Sequence, residues 1–368
     1  MKITGYKLYQ TDIPLHTPFK TSLREVDAVR DLIVAIETDT GERGFGEAPP
    51  TAVITGETLP SITGAIRDFI LPSILGMEIE GLDEIERKLH GCMVKNTSAK
   101  AAVDMALYDL YAKNLGKPLY QVLGGSKNAF ETDITISVNP VAEMVQDSLT
   151  AVARGFRILK VKVGREGMRD VSRIAAIREA VGKEITIRVD ANQGYEAKEA
   201  VRIITAMEDK DLSIELVEQP VPARDFQGMC YITEHVSTPI LADESVFSPL
   251  DAVRLLENRA ADMINIKLMK TGGIHEALKL CAISETYGVP CMIGCMLESK
   301  ISVSAAAHLA AAKGVITMAD LDGPSLCRTD PYPGGPLFEG SMIRMPSEAG
   351  IGIKDIVEGD CISVLASS

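Results

Sequence analysis

Charged residues recur at the ends of successive apolar, β-like runs: Lys160-Val161-Lys162, Asp190, Glu218, Asp243 and Lys267. From Lys162 to Lys267 the intervals are 28, 28, 25 and 24 residues. Each interval holds one apolar run and then a longer amphipathic stretch, the length of one βα unit. Charges at the strand ends of a repeating βα chain converge on one centre, which is how a (β/α) barrel collects its chemistry. The pattern predicts an enzyme.

Strands are expected over 133–138, 157–163, 185–190, 214–218, 240–243, 263–267, 291–294 and 315–320. Helices are expected over 141–153, 165–181, 197–208, 249–257, 273–288 and 302–313. Eight strands is the number that closes this barrel. Residues 1–55 have a different grammar, that of antiparallel strands. A first run ends at Pro14, and two further strands flank the turn Asp39-Thr40-Gly41-Glu42. Helical patterns follow at 58–70, 81–90 and 98–115. The last carries a buried stripe (Ala101, Ala102, Met105, Ala106, Tyr108, Leu110, Tyr111), with Ser98 as its expected cap and Gly116 with Pro118 as its stop. The division expected is an α+β unit over 1–125, completed by the tail at about 337–368, and a barrel over 126–336. No low-complexity linker separates them.

The 368 residues are 46% hydrophobic, enough to bury a large core, and the net charge is −13. No Lys/Arg-rich run stands out, so neither a nucleic-acid backbone nor an anionic membrane is an expected partner. No window approaches 18 uninterrupted apolar residues, and the N-terminal run lacks the apolar core of a secretory signal. Seven irregularly spaced cysteines favour reduced thiols and a cytoplasmic location.

Asp190, Glu218 and Asp243 stand where apolar strands give way to loops, in IRVDANQG, ELVEQP and ILADESVF. Converging carboxylates repel unless a cation or proton compensates, and an all-oxygen set suits Mg²⁺. Asn192 and Gln193 are expected to support the first carboxylate from behind. Lys160 and Lys162, two apart on a strand, share a face. Burial, mutual repulsion and a nearby metal are expected to lower the pKa of at least one, making it a base. Lys267 falls on the opposite wall, four strands away. Two bases facing each other across one mouth can take a proton from one side of a carbon and return it on the other. Lys270 is expected in a loop, in solvent. Asp320 and Asp322 follow the eighth strand and suit a second metal or a cationic substrate group. The five histidines have no evident catalytic partner, and the glycines form no dinucleotide- or phosphate-binding fingerprint.

A divalent ion beside opposed lysines suits removal of a proton α to a carboxylate, because the enediolate carries two anionic oxygens. The residues K-x-K at 160–162, D-A-N-Q at 190–193, V-E-Q-P at 217–220, A-D-E-S at 242–245 and N-I-K-L-M-K-T-G-G at 265–273 resemble the muconate-lactonising branch of the enolase superfamily. Within it they are most similar to the dipeptide epimerases. The resemblance implies a modified TIM barrel, (β/α)₇β, with an α+β capping domain. It also implies Mg²⁺ on Asp190, Glu218 and Asp243, Lys162 and Lys267 as acid/base catalysts, and Lys160 assisting the enolate. Asp320-Leu321-Asp322 matches the family's D-x-D motif for a dipeptide's ammonium. Arg24, in TPFKTSLRE, matches the position that meets a glutamate side chain. Cys295, Met296 and Glu298 fall on a segment lining the substrate. The implied activity is epimerisation of a dipeptide at its C-terminal α-carbon, with L-Ala-L/D-Glu the first candidate. The alternatives are an N-acylamino-acid racemase, an o-succinylbenzoate synthase or a non-catalytic barrel. A homo-oligomer is compatible with all of these.

Overall fold

The computed structural model describes residues 1–21 and 24–367. Five strands open the chain: β1 (Ile3–Thr11), β2 (Ile13–Lys20), β3 (Glu25–Val29), β4 (Leu32–Thr38) and β5 (Arg43–Ala48). β1, β4 and β5 form an antiparallel sheet, while β2 and β3 pair as a separate ribbon. Pro14 therefore does not end the first run. It sits inside β2, opposite Ala28, and its carbonyl accepts from Arg328 N along the other edge of β2.

The helices that follow are α1 (Leu59–Ala65), which continues through a π turn at Ile66–Ile70 into α2 (Leu71–Ile74), then α3 (Leu82–Gly91) and α4 (Thr97–Asn114). Thr58 caps α1, accepting from Ser61 N. Ser98 does not cap α4. The Glu57 carboxylate does so, accepting from Ser98 N at 2.9 Å and Ala99 N at 3.0 Å, while Ser98 Oγ donates to Pro49 O. α4 is buried on nearly every face rather than along one stripe, because it lies between the first sheet and the barrel. Its backbone touches β5 directly. A Cβ at Gly46 would fall 1.8 Å from Ala102 O, so only glycine permits the approach.

After α5 (Leu119–Val122) and β6 (Ala129–Glu131) the βα alternation begins. In order come β7 (Ile134–Ile136), α6 (Val141–Ala153), β8 (Ile158–Lys162), α7 (Arg169–Val181), β9 (Thr186–Asp190) and α8 (Ala197–Asp209). They are followed by β10 (Ile214–Glu218), α9 (Phe226–His235), β11 (Ile240–Ala242), α10 (Pro249–Glu257) and β12 (Met263–Lys267). The last members are α11 (Leu268–Thr271), α12 (Ile274–Tyr287), β13 (Cys291–Gly294), α13 (Lys300–Ala312), β14 (Ile316–Asp320) and α14 (Gly323–Leu326). Helix α9 had no counterpart among the expected elements. Gly228 interrupts its pattern, although Asp225 caps it by accepting from Gly228 N at 2.9 Å.

The strands β7 to β14 form one eight-stranded parallel sheet in sequence order, and Asp133 N donates to Ala319 O across the seam. This is a (β/α)₇β barrel. Leu216, Leu241 and Met292, with Met263 and Met318 against them, make an apolar floor inside it. Side chains two residues further along these strands project from the same face and so rise above that floor. The tail supplies strands in two places. β15 (Leu337–Glu339) pairs with β16 (Met342–Arg344), which pairs with β6, and β17 (Ile362–Ser367) pairs with β1. Among the described residues no helix is long and apolar enough to cross a membrane.

Candidate active site

Strand register assembles the charged layer. Lys162 stands beside Asp190, Asp190 beside Glu218, and Gly294 lies between Lys267 and Asp320. Lys160 and Lys162 share the inward face of β8, as their spacing predicts. Lys160 Nζ lies 2.6 Å from Asp320 Oδ2, 2.7 Å from Glu218 Oε2 and 3.2 Å from Asp190 Oδ2. Lys162 Nζ lies 2.6 Å from Asp190 Oδ2. Lys267, four strands round the ring, lies 2.7 Å from Asp243 Oδ2.

One expectation about the lysines is corrected. Lys270 is not in solvent: α11 turns it back into the mouth, where it is fully buried 2.6 Å from Asp243 Oδ1 and donates to the carbonyls of Asp243 and Asn265. The pKa of Lys160 is raised, and so is that of Lys267. Burial alone would lower both, but Asp320 and Glu218 around Lys160, and Asp243 beside Lys267, outweigh it and raise them. Lys270 goes down, through burial.

The carboxylates respond in kind. Burial opposes the charge of Asp243, yet Lys267 and Lys270 hold it well below the usual range. Glu218 is pushed up to about 7 by burial and by Asp190. Neutral donors pin one oxygen of two of the carboxylates. Asn192 N donates to Asp190 Oδ1 at 2.8 Å, and Asn265 Nδ2 donates to Glu218 Oε1 at 2.9 Å. The other oxygens face the lysines in the centre. Oxygen donors on three successive strand ends are the set that a hard divalent cation takes, and its charge would stand in for the ammonium groups that now hold them.

Asn192 stands where the sequence placed it, also reaching toward Glu244. Gln193 does not support Asp190. Its side chain accepts from Ala223 N at 2.8 Å and braces the next loop, because its left-handed backbone (φ 68°) turns it away. The residue that organises the Asp243 loop is Gln219, whose Oε1 accepts from Asp243 N and Ser245 N. Gln219, Asn265 and Lys270 were not singled out as site residues. A polar side chain directly after or two before a charged strand end was the available signal for Gln219 and Asn265.

Beyond β14, Asp322 Oδ2 accepts from Thr135 N at 2.7 Å, closing the ring from last strand to first. Burial and Asp320 push Asp322 up to about 6, whereas Lys160 draws Asp320 down to about 2 against its burial. Cys295 is buried, its thiol raised by burial and by neighbouring Asp320. Met296 N donates to Glu298 Oε1 at 2.7 Å, and Ser302 Oγ donates to Glu298 Oε2, so Glu298 is committed to its own loop and to α13. Arg24 follows Ser22 and Leu23, which lie outside the described residues. Its guanidinium is lowered by burial and opposed by Asp31 and Glu298. The capping sheet and the barrel meet here: Glu47 of β5 accepts from Ser299 N and Ser302 N at the start of α13.

A parallel barrel with carboxylates on three successive strand ends, lysines on opposing walls and an α+β cap defines an acid–base enzyme. The chain belongs to the mandelate racemase/muconate lactonizing enzyme family of the enolase superfamily. Residues 3–124 match the model of its N-terminal domain, and residues 143–355 match the enolase C-terminal domain-like model. The chain is 55% identical to the L-Ala-D/L-Glu epimerase of Clostridium acetobutylicum, over 94% of this chain and 96% of that protein. It is 44% identical to the hydrophobic dipeptide epimerase of Enterococcus faecalis, over 96% and 99% of the two. Among solved structures it superposes on the substrate-liganded Bacillus subtilis L-Ala-D/L-Glu epimerase with a TM-score of 0.95 at 48% identity, covering 96% and 99% of the chains. Against the Enterococcus faecalis dipeptide epimerase complexed with Mg and L-Leu-L-Tyr the TM-score is 0.93 at 43% identity, covering 96% and 100%.

Proposed function

We propose that the protein is a Mg²⁺-dependent dipeptide epimerase that moves the α-proton of the C-terminal residue from one face to the other. The observation that carries this is the pair Lys162 and Lys267, four strands apart, each ion-paired to one of the clustered carboxylates. A substrate α-carbon held between them meets one amine on each face. One lysine takes the proton as the free amine, and the other, as the ammonium, delivers a proton from behind. The roles exchange in the reverse direction. Asp190, Glu218 and Asp243 would hold Mg²⁺, which supplies positive charge to the substrate's carboxylate oxygens as the enediolate forms and relieves the lysines of their anionic partners. Lys160 stabilises the same developing charge.

Asp320 and Asp322 are assigned to the substrate's ammonium. N-acylated amino acids and succinylbenzoate precursors carry no such group for two buried carboxyls to meet, so those alternatives are disfavoured. The relatives differ in their second residue, one acting on glutamate and another on hydrophobic side chains. Arg24 at the cap favours an acidic one, and L-Ala-L/D-Glu is the first substrate to test. Cys295 and Met296 would line the same space, while Glu298 shapes it by fixing their loop. In this reading the catalytic unit is 126–336, and the cap is 1–125 together with 337–368.

The test is a screen of L,L-dipeptides in D₂O with Mg²⁺, scored by mass for gain of a single deuterium. L-Ala-L-Glu is expected among the strongest signals, lost on chelation and restored by Mg²⁺. No gain with any dipeptide, or a gain that survives chelation, would end the assignment.

A further inference from the structure

A second cluster lies outside the ring of barrel-mouth carboxylates, where the cap meets the barrel. Glu86 and His90 are four residues apart on α3 and so share a helical face, and Asp104 faces them from α4. One ligand atom from each lies within 4.8 Å of the others, the only such Asp/Glu/His/Cys group among the described residues. Glu86 is completely buried, and its oxygens find no partner but the Asp104 carboxyl, while His90 Nε2 has none and sits 3.6 Å from Glu86 Oε2. Neighbouring cations are committed elsewhere. Lys100 donates to the carbonyls of His90 and Met93, and Lys279 pairs with Glu276. Asp104 is also buried, and it reaches across to the barrel, accepting from Ile274 N at 2.5 Å and His275 N at 3.0 Å at the start of α12.

We propose that Glu86, His90 and Asp104 form a second cation site, for a transition-metal ion of the zinc type, that clasps the capping domain to barrel helix α12. Two buried carboxylates with no committed cation are costly, and a divalent ion balances both charges with a neutral imidazole as third donor. Burial already holds the His90 ring toward its neutral form. One nitrogen and two carboxylate oxygens suit Zn²⁺ or Co²⁺ better than Mg²⁺, which favours oxygen alone. Bonds of about 2.0–2.2 Å place tetrahedral ligand atoms roughly 3.3 Å apart. The three side chains therefore have to close by at most about 1.5 Å, a matter of side-chain rotation. The His275 ring stacks on His90 at 5.8 Å and walls the cluster on the barrel side.

The competing occupant is a proton shared by Glu86 and Asp104. To distinguish them, the full chain, kept saturated with Mg²⁺ so that the barrel-mouth carboxylates are filled, is titrated with Co²⁺ as the probe. Binding is read by equilibrium dialysis and by visible d–d absorption. One equivalent is expected to bind, weakened at least tenfold by Glu86→Gln and by His90→Gln, each checked for native circular dichroism. The same equivalent is expected to persist in Asp190→Asn/Glu218→Gln, where the barrel-mouth set is dismantled. The site is refuted if Co²⁺ only displaces Mg²⁺, if both cap variants bind as well as the parent, or if the barrel-mouth variant loses the equivalent. It is equally refuted by an infrared band of a protonated carboxyl, absent from Glu86→Gln, that survives excess Co²⁺.

Discussion

Lys270 and Lys267 grip the same carboxylate from its two ends: Lys270 Nζ is 2.6 Å from Asp243 Oδ1, and Lys267 Nζ is 2.7 Å from Oδ2. A carboxylate held this way cannot rotate without breaking a buried ion pair. Replacing Lys270 by Met should therefore cost stability, on the order of 3 kcal/mol, and lower turnover at least tenfold as Asp243 loses its orientation. Urea unfolding alongside a turnover assay measures both. A variant as stable and active as the parent would mean that Lys270 plays no part in holding Asp243.

The opposed lysines predict a split between exchange and epimerisation. In Lys162→Ala or Lys267→Ala, net epimerisation should fall by roughly 100- to 10,000-fold. Each variant should still exchange the α-proton with D₂O from one epimer, and the epimer should differ between the two. Proton NMR of each pure epimer reads this directly. Exchange from the same epimer in both variants would contradict the two-faced arrangement.

Gly294 makes room for the Lys267 side chain. A Cβ there would lie 2.7 Å from Asn265 Oδ1 and 3.0 Å from Lys267 Cε. Gly294→Ala is expected to displace the lysine and the amide that pins Glu218, lowering kcat at least tenfold at a stability cost of about 1–3 kcal/mol. Unchanged kinetics would show that the mouth has slack at this point.

His308 predicts the acid limb of stability. It is fully buried on α13, its Nδ1 accepts from Tyr120 N at 2.9 Å, and burial lowers its pKa to about 3. The unfolded chain binds this proton at about pH 6.5 and the folded one does not, so the neutral ring's contribution is present above pH 6.5 and is lost as pH falls toward 3. The slope from this group approaches about 1.4 kcal/mol per pH unit. His308→Asn should flatten the fall in urea midpoint between pH 7 and pH 5, and an unaltered profile would assign the acid limb to other groups.

The expectations that succeeded rest on short-range regularities. Period-2 alternation put Lys160 and Lys162 on one face, and strand-end spacing put Asp190, Glu218 and Asp243 on adjacent staves. The failures came where a residue's partner is distant in the chain. Ser98 looked like a cap because nothing local reveals that Glu57 reaches its N–H. Gln193 looked like a support for Asp190, but its backbone turns it toward Ala223.

Hydrophobic periodicity and the spacing of charged strand ends were enough to specify the eight-stranded barrel, its cap and the ring of carboxylates and lysines, because each follows from backbone geometry repeated along the chain. Which ammonium meets which carboxylate, the burial of Lys270 and the meeting of Glu86, His90 and Asp104 against α12 were decided by tertiary structure alone. Such contacts depend on packing between segments far apart in the chain, where burial sets both the partner and the charge.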